Sequence, residues 1–209
     1  MKMKVRILGL FFIIMAGAYQ LSMAHDMEMG SDMPLHHGHH HTMDVHKVVN
    51  NVNVDLPDVK QQKLDGSKVS FSEALSGARP TILSFIYTSC QDICPVTSQT
   101  LSQVQEKALK AWGPLHIVSV SIDPETDTVA RLSKYADRYH VGKNWDYFTG
   151  TLEASVIIQK AFNAFQGDKM NHAPVYFIHN GVDKKWIRVD GLVSADELIA
   201  TINETQQLH

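Results

Sequence analysis

Cys90 and Cys94 are the two cysteines of the 209-residue chain; Gln91, Asp92 and Ile93 separate them, and Pro95 follows at once. Two thiols this close in sequence can pair as a disulfide, share one metal ion, or cycle between dithiol and disulfide. A purely structural disulfide is the poorest of these readings, because so short a loop removes little chain entropy from the unfolded state. The flanking pattern predicts an apolar strand before the pair and a helix after it. A helix start favours thiolate over thiol through its dipole and the unpaired N–H groups of its first turn. The pair therefore reads as a functional dithiol, for redox exchange or for metal.

A third ligand would separate those two. Two thiolates hold Cu(I) linearly, and an added imidazole makes a trigonal site that also accepts Cu(II). The candidates beyond the N-terminal segment are His116, His140, His172, His179 and His209. His116 and His179 fall within predicted strands and His140 at a helix end, where a lone histidine more often packs or faces solvent. His172 differs, standing in the polar run "GDKMNH" immediately before an apolar strand.

The elements that must position these groups lie in residues 51–209. An apolar run at 81–87 reads as a buried strand, and 96–112 as a helix with Val96, Leu101, Val104 and Leu109 on one face. A second strand is expected at 115–122. A helix then follows, capped by Thr126 or Asp127, with Val129, Leu132 and Tyr135 facing inward. A further helix is expected over 152–165. Strands at 174–179 and 185–191 flank Asn180 and Gly181 as a hairpin, and Ser194 with Glu197 forms the capping box of a last helix. This order predicts an α/β fold with a mixed central sheet flanked by helices.

Residues 1–24 read as a signal peptide, with Lys2, Lys4 and Arg6 before an apolar run and small residues at Ser22 and Ala24. The run over 7–19 is shorter than the ~20 residues that span a bilayer. Export to an oxidising compartment such as the bacterial periplasm is the expectation. Residues 25–50 read as a disordered tail in which Met27, Met29, Met33 and Met43 alternate with histidines such as His25, His36, His41 and His46. Thioether prefers Cu(I) and imidazole accepts Cu(II), so this tail suits additional copper. The net charge of −3 gives no reason to expect a nucleic-acid partner.

The segments "FIYTSCQDICP", "VSVSIDPETDT", "YFTGT" and "NHAPVYF", in that order and spacing, resemble the Sco/SenC family of thioredoxin-fold copper proteins over about residues 54–198. The resemblance implies a thioredoxin-like fold and one copper ion held by both cysteines and the later histidine, here Cys90, Cys94 and His172. It implies a role in maturing the copper centre of cytochrome c oxidase, by delivering copper or by reducing that site's cysteines. The partners would be the copper-site subunit of the oxidase or another periplasmic copper chaperone, together with a thiol reductant. Alternatives are a thiol-disulfide reductase with Cys90 and Cys94 as its catalytic redox pair, and a copper acquisition or tolerance protein, which the tail would suit. Gln91 stands where the family commonly has proline, and Pro174 lies near the place where thioredoxins keep a cis-proline. Asp123 and Asp127 match the family's "DPxxDT" segment and are expected to cap and turn rather than to bind metal. Asp92 either tunes the charge of the site or is a solvated loop residue.

Overall fold

The computed structural model describes residues 48–207 apart from 78, 112 and 183; the expected signal peptide, residues 25–47 of the expected tail and His209 lie outside these. The chain runs β1 (Val48–Asn53), β2 (Lys60–Gln62), β3 (Lys68–Ser70), α1 (Phe71–Ala74), β4 (Thr81–Ile86), α2 (Ile93–Ala111) and β5 (His116–Ser121). It continues through α3 (Val129–Ala136), β6 (Trp145–Phe148), α4 (Leu152–Ala161), β7 (Val175–His179), β8 (Lys185–Asp190) and α5 (Ala195–Gln207). Short 3-10 turns occupy Asp137–Tyr139 and Lys169–Asn171. β1 takes in residues 48–50, which had been expected to belong to the tail.

Six strands form one mixed sheet in the order β1-β8-β7-β4-β5-β6. β4, β5 and β6 are parallel, while β7 is antiparallel to β4 and to β8, and β8 to β1. β4 and β5 are buried along their whole length, as central strands covered on both faces must be. On one face Phe162, just past α4, meets the rings of Phe71, Phe85, Phe177 and Trp186 at centroid distances of 6.4, 6.0, 4.9 and 5.1 Å. α2 meets α3 and the turn after it through hydroxyl groups. Ser98 and Tyr135 share a hydrogen bond of 2.8 Å, and Ser102 Oγ donates to the Tyr139 carbonyl at 2.9 Å.

The C-terminal ends of β4, β5 and β6 lie at one end of the sheet. β7 runs the other way and so begins there. Val175 of β7 pairs with Asp190 of β8, which pairs with Val48 of β1. The chain before residue 48 therefore joins the sheet at the end where the loop after β4 emerges.

Several boundaries differ from the sequence expectation for identifiable reasons. α2 begins at Ile93, with Pro95 inside its first turn, where a missing N–H costs nothing. Its buried stripe is Cys94, Thr97, Ser98, Leu101, Val104 and Ala108, and Val96 and Leu109 are exposed. The cap of α3 is Thr128, not Thr126 or Asp127; its side chain accepts from the Arg131 N–H. α4 stops at Ala161 because the chain turns left-handed at Asn163 (φ 51°), which is how many helices end. Ser194 and Glu197 form the expected capping box, with the Ser194 N–H reaching the carboxylate at 2.8 Å and Glu197 N–H reaching Ser194 Oγ at 3.3 Å. No described peptide bond is cis, Pro174 included. β1, α1, β6 and the β2–β3 hairpin were not anticipated.

Phe162→Ala should lower stability to urea by about 3–5 kcal/mol, the usual cost of truncating a buried ring. Val182→Ala, at an exposed position, should stay within about 0.5 kcal/mol. Equal midpoints for the two variants would show that the aromatic cluster is not the centre of this face.

Candidate functional site

β4 ends at Ile86, and the chain then crosses the end of the sheet before α2 begins at Ile93. Cys90 N–H donates to the Tyr87 carbonyl at 3.2 Å, folding the loop back on itself. The Cys94 N–H, in the first turn of α2, donates to Cys90 Sγ at 3.4 Å. A sulfur thus occupies the place of a helix cap. Both cysteines are free.

The two thiols are unequal. Burial works against a charged Cys90, yet hydrogen bonds from the Cys94 backbone and thiol, the Asp92 backbone and the Tyr87 hydroxyl outweigh it and draw its pKa below the ordinary cysteine value. Cys94 is pushed well above that value by burial, which its hydrogen bond to the Tyr87 backbone does not offset, and the neighbouring Cys90 sulfur adds to the rise. Exposure agrees, 9% for Cys90 and 1% for Cys94. Cys90 is thus the more acidic thiol of the pair and Cys94 the less acidic one. Tyr87 is itself pushed up to about 12, first by burial and then by its bond to Cys90, so it remains a hydroxyl donor.

Asp127 is fully buried and does not cap α3. Its carboxyl accepts the Thr88 N–H at 3.1 and 3.2 Å, Thr88 Oγ1 at 2.5 Å and Ser121 Oγ at 2.7 Å. It therefore holds the dithiol loop to the end of β5. Asp123 does turn the chain, through its carbonyl, which accepts the N–H groups of Thr126 and Asp127. Its side chain has another use, an ion pair of 2.6 Å with Lys169 in the loop that carries His172. Asp92 is exposed.

His172 ends the 3-10 turn Lys169–Asn171, whose start is capped by Asp168 accepting the Met170 N–H at 2.8 Å. Its Nε2 lies 3.1 Å from the Phe85 carbonyl. A carbonyl can only accept, so Nε2 carries the proton and Nδ1 keeps its lone pair, the tautomer of an imidazole prepared as a ligand. Burial lowers the pKa of the ring, more than the Phe85 bond raises it, and so favours the neutral form that a metal needs. The ring also borders a cavity of about 220 Å³ lined by Ile122, Leu152, Phe165 and Lys169. The structure brings the two cysteines together and places His172 at the same end of the sheet. It does not bring all three into bonding distance of one point: among the described residues no three His, Cys, Asp or Glu side chains are grouped closely enough to hold a metal.

The other histidines have structural surroundings. His116 is buried against Asp146 at 3.0 Å, His179 stacks on Trp186 at 4.7 Å, and His140 is an exposed left-handed residue. The Tyr87 contacts to Cys90 and to Met170, whose Sδ lies 3.9 Å from its hydroxyl, were missed from sequence. No spacing rule joins Tyr87 to Met170, 83 residues on.

A family model described as SCO1/SenC matches residues 62–205. The SCO1 protein homolog of Bacillus subtilis (strain 168) is 32% identical over 106 residues, 50% of this chain and 54% of that protein. The mitochondrial SCO2 homolog of Bos taurus is 38% identical over 61 residues, 28% of this chain and 23% of that protein. The match thus spans about half the length of the first relative and less of the second. Among solved structures, BsSco, described as having a disulfide switch and as a member of the Sco family of cytochrome c oxidase assembly proteins, superposes with a TM-score of 0.62 at 25% identity. That superposition covers 77% of this chain and 98% of BsSco. Copper-bound ScoI of Arabidopsis thaliana superposes with a TM-score of 0.59 at 23% identity, over 71% of this chain and 96% of that one. The fold is the thioredoxin-like one expected.

In the reduced, metal-free chain iodoacetamide should label Cys90 before Cys94, as read by peptide mass spectrometry. A lowered pKa means that thiolate persists to lower pH, so the Cys90 rate should fall off only below the ~8.5 of free cysteine. Preferential labelling of Cys94 would reverse the assignment.

Proposed function

The chain belongs to the SCO1/SenC family, and on that premise we propose that it is an exported copper chaperone that binds one copper ion through Cys90, Cys94 and His172 for maturation of the copper centre of cytochrome c oxidase. One observation supports this above the rest. Two free cysteines, joined by the hydrogen bond from the Cys94 N–H to Cys90 Sγ, share a sheet end with a neutral histidine whose Nδ1 retains its lone pair. Thiolates suit Cu(I), and the imidazole extends the site to Cu(II). Solved proteins of this fold from Arabidopsis thaliana, Bradyrhizobium japonicum and yeast are described with copper bound.

In loading, Cys90 bonds before Cys94. Cys94 gives up its proton as its sulfur bonds, and His172 joins when its loop and the dithiol approach one another. Formation of the Cys90–Cys94 disulfide removes both sulfur ligands, so redox state gates loading. The partners on this reading are the copper-site subunit of the oxidase or a second periplasmic copper chaperone, and a thiol reductant that restores the dithiol. Export rests on residues 1–24; among the described residues no helix is long and apolar enough to cross a membrane. One structural relative, from Bacillus anthracis, is described as a lipoprotein.

The inequality of the thiols favours a second reading, a thiol-disulfide reductase. The Cys90 thiolate attacks a disulfide of the client and forms a mixed disulfide, releasing one client thiolate. Cys94 loses its proton and attacks Cys90 Sγ, releasing the second client thiol. Two electrons have then passed to the client, and the chain carries the Cys90–Cys94 disulfide.

The His/Met-rich tail is proposed to collect additional copper and present it to this site. Its composition supports that role, and so does β1, which starts at the same end of the sheet as the dithiol loop. About 15 Å, three strand spacings, separate Val48 from the row of Phe85, a distance that a segment of this length can span.

His172→Ala should weaken copper binding by at least about tenfold, since even the partner that supports a ligand is worth that much. Disulfide exchange by the same variant should continue; full client maturation by it would exclude delivery through this site and leave the reductase. Deleting residues 25–47 should slow loading at limiting copper while leaving the affinity of the dithiol unchanged. Unchanged loading would remove the tail from the pathway.

A further inference from the structure

Nine methionines occur in the chain, and all but Met170 fall within residues 1–43. The described domain therefore uses no methionine to fill its core, although methionine is a ready gap-filler there. Its single thioether is 72% exposed, two residues before His172. An exposed apolar side chain is by itself ordinary. What distinguishes this one is where its sulfur points.

Met170 Sδ lies 3.9 Å from the Tyr87 hydroxyl, and the Tyr87 carbonyl accepts the Cys90 N–H at 3.2 Å. One residue, Tyr87, thus touches both a solvent-exposed thioether and the residue that carries the more exposed thiol of the site. The Met170 backbone is fixed on both sides, by the Asp168 cap at 2.8 Å and by the Lys169–Asp123 ion pair at 2.6 Å. The ion pair also matches the neighbouring Lys169 ammonium with a carboxylate, which reduces its repulsion of an incoming cation. A thioether binds Cu(I), discriminates against hard cations and zinc, and needs to lose no proton to do so.

We propose that Met170 is a thioether ligand that receives Cu(I) at the rim of the site, ahead of the dithiol. The inference rests on the copper reading above and adds a ligand and an order of events to it. Cu(I) arrives on a donor. The Met170 thioether displaces one donor ligand, and Cys90 displaces the next. Cys94 then replaces Met170 and releases its thiol proton. Copper remains Cu(I) throughout, so no oxidant or reductant is consumed. Tyr87 turns its hydroxyl away from Met170 once the sulfur's lone pair is taken.

The test uses the reduced full chain carrying ¹³C-methyl methionine, titrated without oxygen with Cu(I) from its acetonitrile complex and separately with Ag(I). Met170 is assigned by the signal that Met170→Leu lacks. The expected result is a shift of the Met170 methyl before the thiolate-to-copper charge-transfer band is complete. Met170→Leu should load about tenfold more slowly from a Cu(I)–bicinchoninate donor, with final affinity within about twofold. The band forming at the wild-type rate in Met170→Leu, with the methyl of the wild type unmoved, overturns the inference and leaves the copper reading standing. Absence of the band in the wild type, with Cys90→Ser and Cys94→Ser indistinguishable from it, overturns both. Leucine has nearly the volume of methionine and the position is exposed, so an unchanged Tm is expected to accompany either result.

Discussion

The Asp127 carboxyl is the constraint on which the site depends. Buried completely, it must be satisfied by protein donors, and those it finds lie on Thr88 before the dithiol and Ser121 at the end of β5. Its own carbonyl takes the Thr149 hydroxyl at 2.9 Å, just past β6. One residue thus ties together the chain leaving three neighbouring parallel strands. Without it, several buried donors would lose their acceptor at once, which is far costlier than the loss of exposed bonds. The same loop contributes Asp123, which reaches the His172 turn through Lys169. Both halves of the site are referred to a single segment of ten residues or fewer, so their separation is set by local geometry rather than by distant packing.

Within that frame the helix start makes the two cysteines chemically different although they are alike in sequence. The Cys90 sulfur lies outside α2 and takes a first-turn N–H that would otherwise go unpaired. The Cys94 sulfur belongs to the buried stripe of α2 and faces the core. Two identical side chains four residues apart thereby come to differ in acidity and exposure, through burial and hydrogen bonding alone.

Much of this was legible in the sequence. The long apolar or periodic segments, β4, α2, β5, β7, β8 and α5, carry their own signal, and the capping box of α5 formed as written. The elements that escaped include β2, β3, α1 and β6, three or four residues long and too short to show a period, although Asp65 and Gly66 mark the turn between the first two; β1 escaped as well, its first three residues lying in the stretch read as tail. Asp127 was misplaced because capping is a local preference, and a buried tertiary acceptor overrides it. The cysteines and His172 were singled out by type and neighbourhood. Their mutual distance was not, because the orientation of His172 is decided by the Phe85 carbonyl across the sheet, a contact that no short-range pattern encodes.

Sulfur is distributed in the described domain with unusual economy: Cys90, Cys94 and Met170 are its only sulfur-bearing residues, and all three gather at one end of one sheet. The remaining core is aliphatic and aromatic carbon. Peroxide or hypochlorous acid therefore finds its softest targets at the site and little to attack in the scaffold. An oxidised molecule would keep its shape, its solubility and its resistance to proteolysis while having lost its capacity for soft metal. Damage of this kind escapes any quality control that recognises exposed hydrophobic surface, and only repair chemistry directed at sulfenic acid, disulfide or methionine sulfoxide could restore it.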